Sequence, residues 1–196
     1  MKLGVVSDIH SNPAGLTRAL ELMGPVDRLL CLGDCIFDYR FCNETVGLLR
    51  ERDAVTILGN HEEAFFSPGG ERARSQDWID RDLLEWLQSR PRRVTLDYEG
   101  ARVLMVHSTP WEPRGEYIMP NSPRLERFAE ADADIVLYGH THHQVARQIG
   151  DVLVVNPGST GDGRDMRNGR QLSFAVIDTA TREVSITDFP DPKRNG

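Results

Sequence analysis

Cysteine is scarce in this 196-residue chain, and the few cysteines present form no pairing pattern. Only Cys31, Cys35 and Cys42 occur, an odd number without a CxxC pair, so a disulfide framework is not expected. Cys31 lies in an apolar run and is interpreted as a small buried residue. Cys35 directly follows Asp34, but a role as a soft metal ligand is disfavoured because the other candidate ligands are hard or intermediate.

Long apolar runs and an excess of positive charge are also lacking. Ser7 and Asp8 interrupt the apolar N-terminal run, which argues against a secretory signal, and no run approaches the roughly 20 residues that span a membrane. With 23 basic and 30 acidic residues the net charge is −7, which disfavours a nucleic-acid polymer as partner. We therefore expect a cytoplasmic protein without membrane contact, and a small phosphorylated ligand could still be held by local cations such as bound metal ions.

The chain length suits one domain, predicted to span residues 1–196 with a polar tail at about 190–196 that frays. Its first part alternates strand and helix patterns. Strands are predicted at residues 3–7, 28–32 and 54–58, with one helix beginning at Asn12-Pro13 and another at 41–51. This alternation predicts a parallel sheet with right-handed crossovers.

The rest of the chain is richer in strands and turns. Hairpins are predicted for residues 94–98 with 102–107, 145–149 with 152–155, and 172–178 with 183–187, with a further strand at 135–138. Helices are predicted at 75–89 and 124–131, and residues 109–123 form a proline-rich loop between them. In the first of these helices a set of apolar residues is expected to pack into the core: Trp78, Ile79, Leu83, Trp86 and Leu87.

Five polar motifs follow predicted strands, and they contain five of the six histidines. The motifs are Ser7-Asp8-Ile9-His10, Gly33-Asp34, Gly59-Asn60-His61-Glu62, Val106-His107 and Gly139-His140-Thr141-His142. The carboxyl ends of parallel strands converge at one sheet edge, so these side chains are expected to meet there. Carboxylate, imidazole and amide oxygen together suit Mn²⁺, Fe or Zn²⁺, and Asp34 could bridge two ions with its two oxygens.

The ordered set DxH, GD, GNHE, H and GHTH resembles the calcineurin-like metallophosphoesterase superfamily. The short length and the segment NPGST–GRD resemble its small bacterial and archaeal phosphodiesterase branch. The resemblance implies an α/β fold, a four-layer α-β-β-α sandwich of two mixed sheets flanked by helices, with the metal site at the carboxyl ends of the strands. It also implies two divalent metal ions as cofactors, with Mn²⁺ the first choice and Fe, Zn²⁺ and Ni²⁺ as alternatives.

The resemblance further implies a role for each motif residue. The first ion would be bound by Asp8, His10, Asp34 and His142, and the second by Asp34, Asn60, His107 and His140. His61 would be the catalytic acid, and Asn12 and Arg164 would lie near a small phosphoester substrate. The implied reaction is hydrolysis of a phosphodiester by a hydroxide that bridges the two ions.

Two other functions stay open at this stage. One is a phosphomonoesterase of the same superfamily, although the stretch from Gly33 to Arg40 departs from the GDxxDRG motif of its protein phosphatases. The other is a non-catalytic protein-binding scaffold with the same fold, like a vacuolar protein-sorting subunit. The sequence does not name the substrate, the native metal or the oligomeric state, and a homo-oligomer is kept as an option.

Several residues near the motifs receive a structural interpretation. Glu62 and Glu63 are interpreted as the solvated start of a helix, where carboxylates suit the helix dipole. Asp38 is interpreted as a polar loop residue, with support of the metal site as the alternative. The aromatic residues Phe65, Trp111 and Tyr117 could stack on a base or simply pack within their loops. His143 is expected to be exposed or to support a neighbouring ligand.

Overall fold

The computed structural model describes residues 1–112 and 114–195. The first of its two sheets has five strands in the order β10-β9-β1-β2-β3. These strands are β1 (Lys2–Val6), β2 (Arg28–Cys31), β3 (Val55–Thr56), β9 (Leu172–Asp178) and β10 (Val184–Phe189). The three N-terminal strands run parallel, whereas β9 is antiparallel to both β1 and β10. The sheet is therefore mixed, with the predicted parallel strands at one side.

The second sheet has five strands in the order β4-β5-β6-β8-β7. Its strands are β4 (Arg93–Tyr98), β5 (Ala101–Val106), β6 (Ile135–Leu137), β7 (Val145–Ile149) and β8 (Val152–Asn156). The central strands β5, β6 and β8 pair in parallel, and the outer strands β4 and β7 are antiparallel to their neighbours. Both sheets thus present several parallel carboxyl ends at one edge.

Five α-helices occur in the described part of the chain: α1 (Pro13–Met23), α2 (Asn43–Glu51), α3 (Asn60–Phe66), α4 (Glu71–Arg74) and α5 (Arg81–Gln88). Shorter 3-10 helices cover Pro68–Gly70, Pro123–Glu130, Met166–Asn168 and Pro192–Asn195. Asn12 caps α1, since its side-chain oxygen accepts a hydrogen bond from the backbone N–H of Gly15 at 3.0 Å. None of the described helices is long and apolar enough to cross a membrane.

Alternating side chains along the strands build the layers. On β5, Val103 and Met105 join the apolar core between the two sheets, while Leu104 and Val106 join the core beneath the 3-10 helix Pro123–Glu130. A third core lies between the first sheet and the helices, and Leu16 of α1 and Val46 of α2 belong to it. The expected α-β-β-α arrangement of two mixed sheets flanked by helices is confirmed.

The strands agree closely with the predictions, but one helix prediction was wrong. The helix expected at 75–89 begins only at Arg81, because the side chain of Asp80 accepts the backbone N–H groups of Asp82 and Leu83 and so caps it. Trp78 lies in the preceding turn and is 56% exposed. The expectation that it packs into the core was therefore wrong. Fraying of residues 190–196 stays a prediction; within them Lys193 Nζ donates a hydrogen bond to the carbonyl of Ser11.

The cysteines behave as the sequence indicated. Cys31, Cys35 and Cys42 are free thiols, and the first two are buried. Cys35 Sγ lies 3.2 Å from Oε1 of Glu62, to which it donates a hydrogen bond. It belongs to none of the groups of ligand atoms found among the described residues.

Candidate metal centre

The loops after β1, β2, β3, β5 and β6 meet at one edge of the sandwich, and backbone hydrogen bonds join them. The N–H of Asp8 donates to the carbonyl of Gly33 at 3.1 Å, and the N–H of His10 donates to that of Asp34 at 3.0 Å. On the other sheet, the N–H of Gly139 donates to the carbonyl of His107 at 2.9 Å. The N–H of His61 donates to Oδ1 of Asp34 at 2.9 Å, and the N–H of His140 donates to Oδ2 of Asp8 at 3.0 Å. All five motifs are thus joined at this edge.

Left-handed backbone is concentrated in these loops. Five of the seven predicted ligands have positive φ angles between 50° and 67°: Asp8, His10, Asp34, His140 and His142. Such a conformation is strained for a residue with a side chain, at a cost of order 1–3 kcal/mol each, and it persists where the surroundings enforce it. The chain accepts this strain at the positions that aim ligand-type side chains inward.

Glycine is required at two positions of the centre, because a Cβ atom there would collide with neighbouring residues. A Cβ atom on Gly139 would collide with the Ser7 hydroxyl and with Oδ2 of Asp8 at 2.7 Å. A Cβ atom on Gly59 would collide with Oδ1 of Asp34 and lie 2.6 Å from its backbone nitrogen. Both glycines therefore allow a neighbouring loop to approach an aspartate closely.

The first group of ligand-type atoms combines Asp8, His10 and His142, whose atoms lie within 4.8 Å of one another. The two Nε2 atoms of His10 and His142 are 3.0 Å apart, and Oδ1 of Asp8 is 3.3 Å from Nε2 of His142. All three side chains are buried. This is the spacing of atoms that can converge on one metal ion.

The second group combines Asp34, His107 and His140, again within 4.8 Å. Nε2 of His107 lies 3.1 Å from Oδ2 of Asp34 and 3.0 Å from Oδ1 of Asn60. Asn60 therefore joins this group through the oxygen of its side-chain amide. Asp34 also belongs to a third group, with His10 and His61, and so lies between the two sites.

Three of the histidines have one ring nitrogen held by a backbone carbonyl. Nδ1 of His107 lies 2.8 Å from the carbonyl of Leu32, Nδ1 of His142 2.7 Å from that of Asp162, and Nε2 of His140 3.2 Å from that of Gly115. A carbonyl can only accept, so the nitrogen that faces it carries the hydrogen. In the neutral ring the opposite nitrogen then offers a lone pair, as metal-binding histidines do.

Charge and burial shift the pKa values in opposite directions within the site. Burial works against the charged form of His107, but the Asp34 carboxylate raises its pKa to about 10. Burial and the charge of His107 lower the pKa of His140 to about 4, and burial likewise lowers the pKa of His10 to about 4. Asp8 and Asp34 are also buried, yet hydrogen bonds and charges from the histidines hold both carboxyl pKa values below their usual range.

The residues present fit a divalent metal ion. Oδ2 of Asp8 accepts hydrogen bonds from the Ser7 hydroxyl and from the N–H of His140, whereas its Oδ1 is buried without any. Nδ1 of His10 is buried without a partner as well. Unpartnered buried polar atoms are costly, and a cation between Oδ1 and the facing imidazoles would satisfy the Asp8 oxygen.

His61 lies beside both groups and is held from behind by Asp38. Its Nδ1 is 2.7 Å from Oδ1 of Asp38 and 2.8 Å from the backbone nitrogen of the same residue. Its Nε2 is 3.7 Å from Oδ2 of Asp34, and its ring stacks on Phe37 with 5.0 Å between centroids. Nε2 is thus directed at the ligand groups, and Asp38 is not the free loop residue that the sequence indicated.

Glu62 is fully buried, so its interpretation as a solvated helix start was wrong. Its carboxylate accepts three backbone N–H groups, from Asp34 at 2.8 Å, Gly59 at 2.8 Å and Ile36 at 3.0 Å. Burial and the charge of Asp34 raise its pKa. Glu62 ties the loop after β2 to the loop after β3, and it thereby fixes the backbone on both sides of Asp34.

The two residues predicted to lie near the substrate have structural partners. The Asn12 side chain is 1% exposed and donates to the carbonyl of Gly161 at 3.1 Å in addition to capping α1. Arg164 pairs with Asp162 at 2.7 Å, and the carbonyl of Asp162 is the one that faces His142. Arg164 is therefore linked to the centre through Asp162, whereas Asn12 serves the fold.

A cleft of about 570 Å³ adjoins the second group and is lined by Asn60, His107, Arg92, Arg93 and Arg114, among others. Its volume lies within the roughly 300–1,000 Å³ usual for ligand sites.

Of the aromatic candidates, Phe65 is buried and Trp111 packs on Phe128. Tyr117 is 61% exposed, and its ring lies 3.9 Å from that of His140. Tyr117 is the only one of the three that is both exposed and in contact with a predicted ligand.

The sequence left the supporting role of Asp38 as the second choice, and it did not predict the role of Glu62. A spacing signal existed for both, since Asp38 follows Asp34 by four positions and Glu62 follows the predicted ligand Asn60 by two. Neither spacing tells whether a carboxylate faces solvent or the interior. The contact of His140 with Gly115 carries no side-chain signal, because only the carbonyl group of Gly115 is used.

Proteins of one superfamily resemble this chain in sequence. The calcineurin-like phosphoesterase superfamily domain matches residues 1–182. Phosphodiesterase YfcE of Escherichia coli is 27% identical over 186 residues, which cover 94% of this chain and 91% of that protein. An uncharacterized protein of Methanocaldococcus jannaschii is 26% identical over 212 residues, which cover 94% of this chain and 85% of that protein.

Solved structures share the fold. The metallophosphoesterase of Sphaerobacter thermophilus matches with a TM-score of 0.78 at 24% identity, over 100% of this chain and 91% of that one. Vps29 of Entamoeba histolytica, complexed with zinc, matches with a TM-score of 0.58 at 20% identity, over 95% of this chain and 90% of that one. The family domain spans nearly the whole chain, and this chain therefore belongs to the calcineurin-like phosphoesterase superfamily.

Proposed function

We propose that this protein is a metal-dependent phosphodiesterase with two divalent ions in its active site. The observation that carries the proposal is the pair of buried ligand groups on either side of Asp34. The first ion would be held by Asp8, His10, Asp34 and His142, and the second by Asp34, Asn60, His107 and His140. When bound, the ions would supply an activated water nucleophile at neutral pH and neutralise charge on the phosphoryl oxygens.

Asp34 would help to hold both ions. Its Oδ1 already accepts the backbone N–H of His61 at 2.9 Å, whereas Oδ2 lies 3.1 Å from Nε2 of His107 and 3.7 Å from Nε2 of His61. Both carboxylate oxygens of Asp34 thus lie beside residues of the centre, which supports a place for Asp34 between the two ions.

His61 would donate a proton to the leaving oxygen of the substrate. Its Nε2 is directed at the ligand groups, and Asp38 holds Nδ1 on the opposite side of the ring, so Nε2 is the atom that would pass the proton to the substrate. A positioned acid of this kind contributes about 10²–10⁴-fold to the rate. The ring is 16% exposed, so the proton can be regained from solvent.

A diester is favoured over a monoester by the surroundings of the first group. A phosphomonoester carries an extra negative charge that such enzymes meet with a cation at the scissile phosphate. Here the guanidinium of Arg40 lies over the ring of Phe37, 4.8 Å from its centroid, and forms no hydrogen bond or ion pair with a predicted ligand among the described residues. The relative named as a phosphodiesterase, at 27% identity, points in the same direction.

Turnover of an aryl phosphodiester tests the proposal. Purified protein with Mn²⁺ should hydrolyse bis(p-nitrophenyl) phosphate faster than p-nitrophenyl phosphate, and EDTA should abolish the activity. His61→Ala, assayed in parallel, controls for a contaminating hydrolase. Absence of turnover with Mn²⁺, Zn²⁺, Fe²⁺ and Ni²⁺ would overturn the enzyme proposal and favour the protein-binding scaffold, since the fold itself is shared with Vps29. Preference for the monoester would overturn the diester assignment alone.

A further inference from the structure

We propose that the cleft beside the second ligand group binds a second anionic group of the substrate, a phosphate carried away from the scissile phosphodiester. This inference rests on the proposed function, because it places the scissile group at the metal centre. It names a substrate class, phosphodiesters with an additional phosphate, that the metal ligands by themselves do not select.

The position of the cleft supports this assignment. Asn60 and His107 line it, and both belong to the second ligand group, so the space opens directly from the predicted centre. The backbone of Gly115 also lines it, and the carbonyl of that residue faces His140. A substrate whose scissile phosphate lies at the centre would therefore extend one of its arms into this space.

The charge of the cleft is unusual for this protein. Three of its lining residues are arginines, Arg92, Arg93 and Arg114, and two are acidic, Glu63 and Glu112, which leaves a formal net charge of 3 − 2 = +1. The whole chain has a net charge of −7. A locally positive cleft in an acidic protein attracts anions to one place on its surface and repels them elsewhere.

Glu63 contacts Arg92 and Arg114 but does not occupy all of their N–H donors. Oε1 of Glu63 lies 2.7 Å from Nε of Arg92 and 3.7 Å from Nη1 of Arg114, and Oε1 of Glu112 lies 3.1 Å from Nε of Arg114. The two Nη groups of Arg92 have no hydrogen-bond or ion-pair partner in the described part of the chain. A guanidinium carries five N–H donors in a planar fork that matches phosphate, so Arg92 retains donors for a ligand.

Both arginines can also exchange their present partners. The side chains of Arg92 and Arg114 are 58% and 50% exposed, and ion pairs this exposed contribute little to stability. A phosphate that bridges the two guanidinium groups would form charge-assisted hydrogen bonds with two cations at once. It would compete with Glu63 for Arg92 and with Glu112 for Arg114, so both carboxylates oppose binding of the ligand.

A purely structural ion-pair network is the competing explanation. In that case Glu63 would only fix the loop that carries Arg114 to α3, and removing either partner would have the same effect. In the proposed site the two changes act in opposite directions. Loss of the arginines weakens phosphate binding, whereas Glu63→Gln removes a competing carboxylate and strengthens it.

Calorimetric binding of two matched nucleotides separates these explanations. Thymidine 3′,5′-bisphosphate and thymidine 5′-monophosphate differ only by the second phosphate, and each is titrated with and without Mn²⁺. We expect wild-type protein to bind the bisphosphate about tenfold more tightly. The double variant R92A/R114A should lose that preference, and E63Q should keep or increase it. Arg147→Ala is the matched control. Arg147 lies on β7, pairs with Glu126 at 2.8 Å, and does not line the cleft.

Equal Kd values for the two nucleotides in wild-type protein would overturn the proposal. Retention of the preference for the bisphosphate by R92A/R114A would overturn it as well. Loss of that preference in both E63Q and R92A/R114A would have the same consequence. Turnover gives a second readout: p-nitrophenyl thymidine 5′-phosphate with and without a 3′-phosphate should differ in kcat/KM by about tenfold, and the ratio should fall in R92A/R114A. If neither ester is hydrolysed, the proposed function fails, while the binding experiment still decides the anion site.

Discussion

The carboxylate of Asp38 contacts the imidazole of His61, with 2.7 Å between Oδ1 and Nδ1. The contact lies on the far side of the ring from the predicted metal ligands, since Nε2 of His61 is the atom that faces Asp34. One residue therefore orients the other without touching the place where a substrate would react. The first prediction follows from this geometry.

Asp38→Asn should lower kcat by about tenfold while the metal content stays unchanged, because the amide holds the ring of His61 less firmly in the orientation that directs Nε2 at the ligand groups. The loss should be larger for a diester with an alkyl alcohol leaving group than for one with p-nitrophenolate, which leaves without a proton. Kinetics of both substrates check this, and in a His61→Ala background the same change should have almost no further effect. An equal loss for both leaving groups would contradict the role.

His61→Ala should reduce turnover by about 10²–10⁴-fold while both metal ions remain bound. The alternative is that His61 itself binds a metal ion, because it forms a group of possible ligand atoms with His10 and Asp34. Elemental analysis of the purified variant gives the metal-to-protein ratio. If that ratio falls by half, His61 is a ligand and its assignment as the acid is wrong.

Asp34→Ala should lose both ions, since Asp34 belongs to the second group of ligand atoms and shares the third group with His10 of the first. His10→Ala is the comparison, because His10 contributes to the first site but not to the second, and it should lose one ion. Metal content after dialysis distinguishes the two variants. Full retention of either ion by Asp34→Ala would count against a bridging role, provided that circular dichroism shows the variant to be folded.

Glu62→Ala should destabilise the fold by about 3–5 kcal/mol, because it leaves three buried backbone N–H groups without an acceptor. Urea unfolding measures the change in the free energy of unfolding. The neighbouring Glu63→Ala is the matched control: its carboxylate is partly exposed and pairs with an exposed arginine, so the loss should stay below about 1 kcal/mol. Similar losses in both variants would show that burial of Glu62 has no special importance.

Metal affinity should rise with pH between about 6 and 9, because the pKa of His107 is raised to about 10 in the metal-free site. Below that pKa the ring carries a proton at Nε2, which a metal ion must displace, so affinity gains up to about tenfold for each pH unit. Calorimetric titration with Mn²⁺ in buffers of different ionisation enthalpy should show release of at least one proton. An affinity that is constant over this pH range would contradict the assignment of His107 as a ligand.

Much of the fold was readable from periodicity. The strands β1, β2, β5, β7, β8 and β9 fall within about one residue of the predicted ranges, because each combines an apolar run with a clear turn signal. The helix predicted at 75–89 failed for a local reason. Trp78 and Ile79 fit the helical spacing of later apolar residues, but Asp80 caps the helix after them, and a cap overrides a continuing hydrophobic pattern.

The sequence by itself determined the kinds of candidate ligand and their order, and with them the family, because those depend on which residues follow which strands. Only the tertiary structure decided which side chains support them. Glu62 is buried and Glu63 is partly exposed although they are adjacent, since only one of them points at the loop that contains Asp34. Arg92 and Arg114 meet Glu63 from distant parts of the chain. Such contacts depend on how the two sheets and their loops pack together, and no local pattern in the sequence records that.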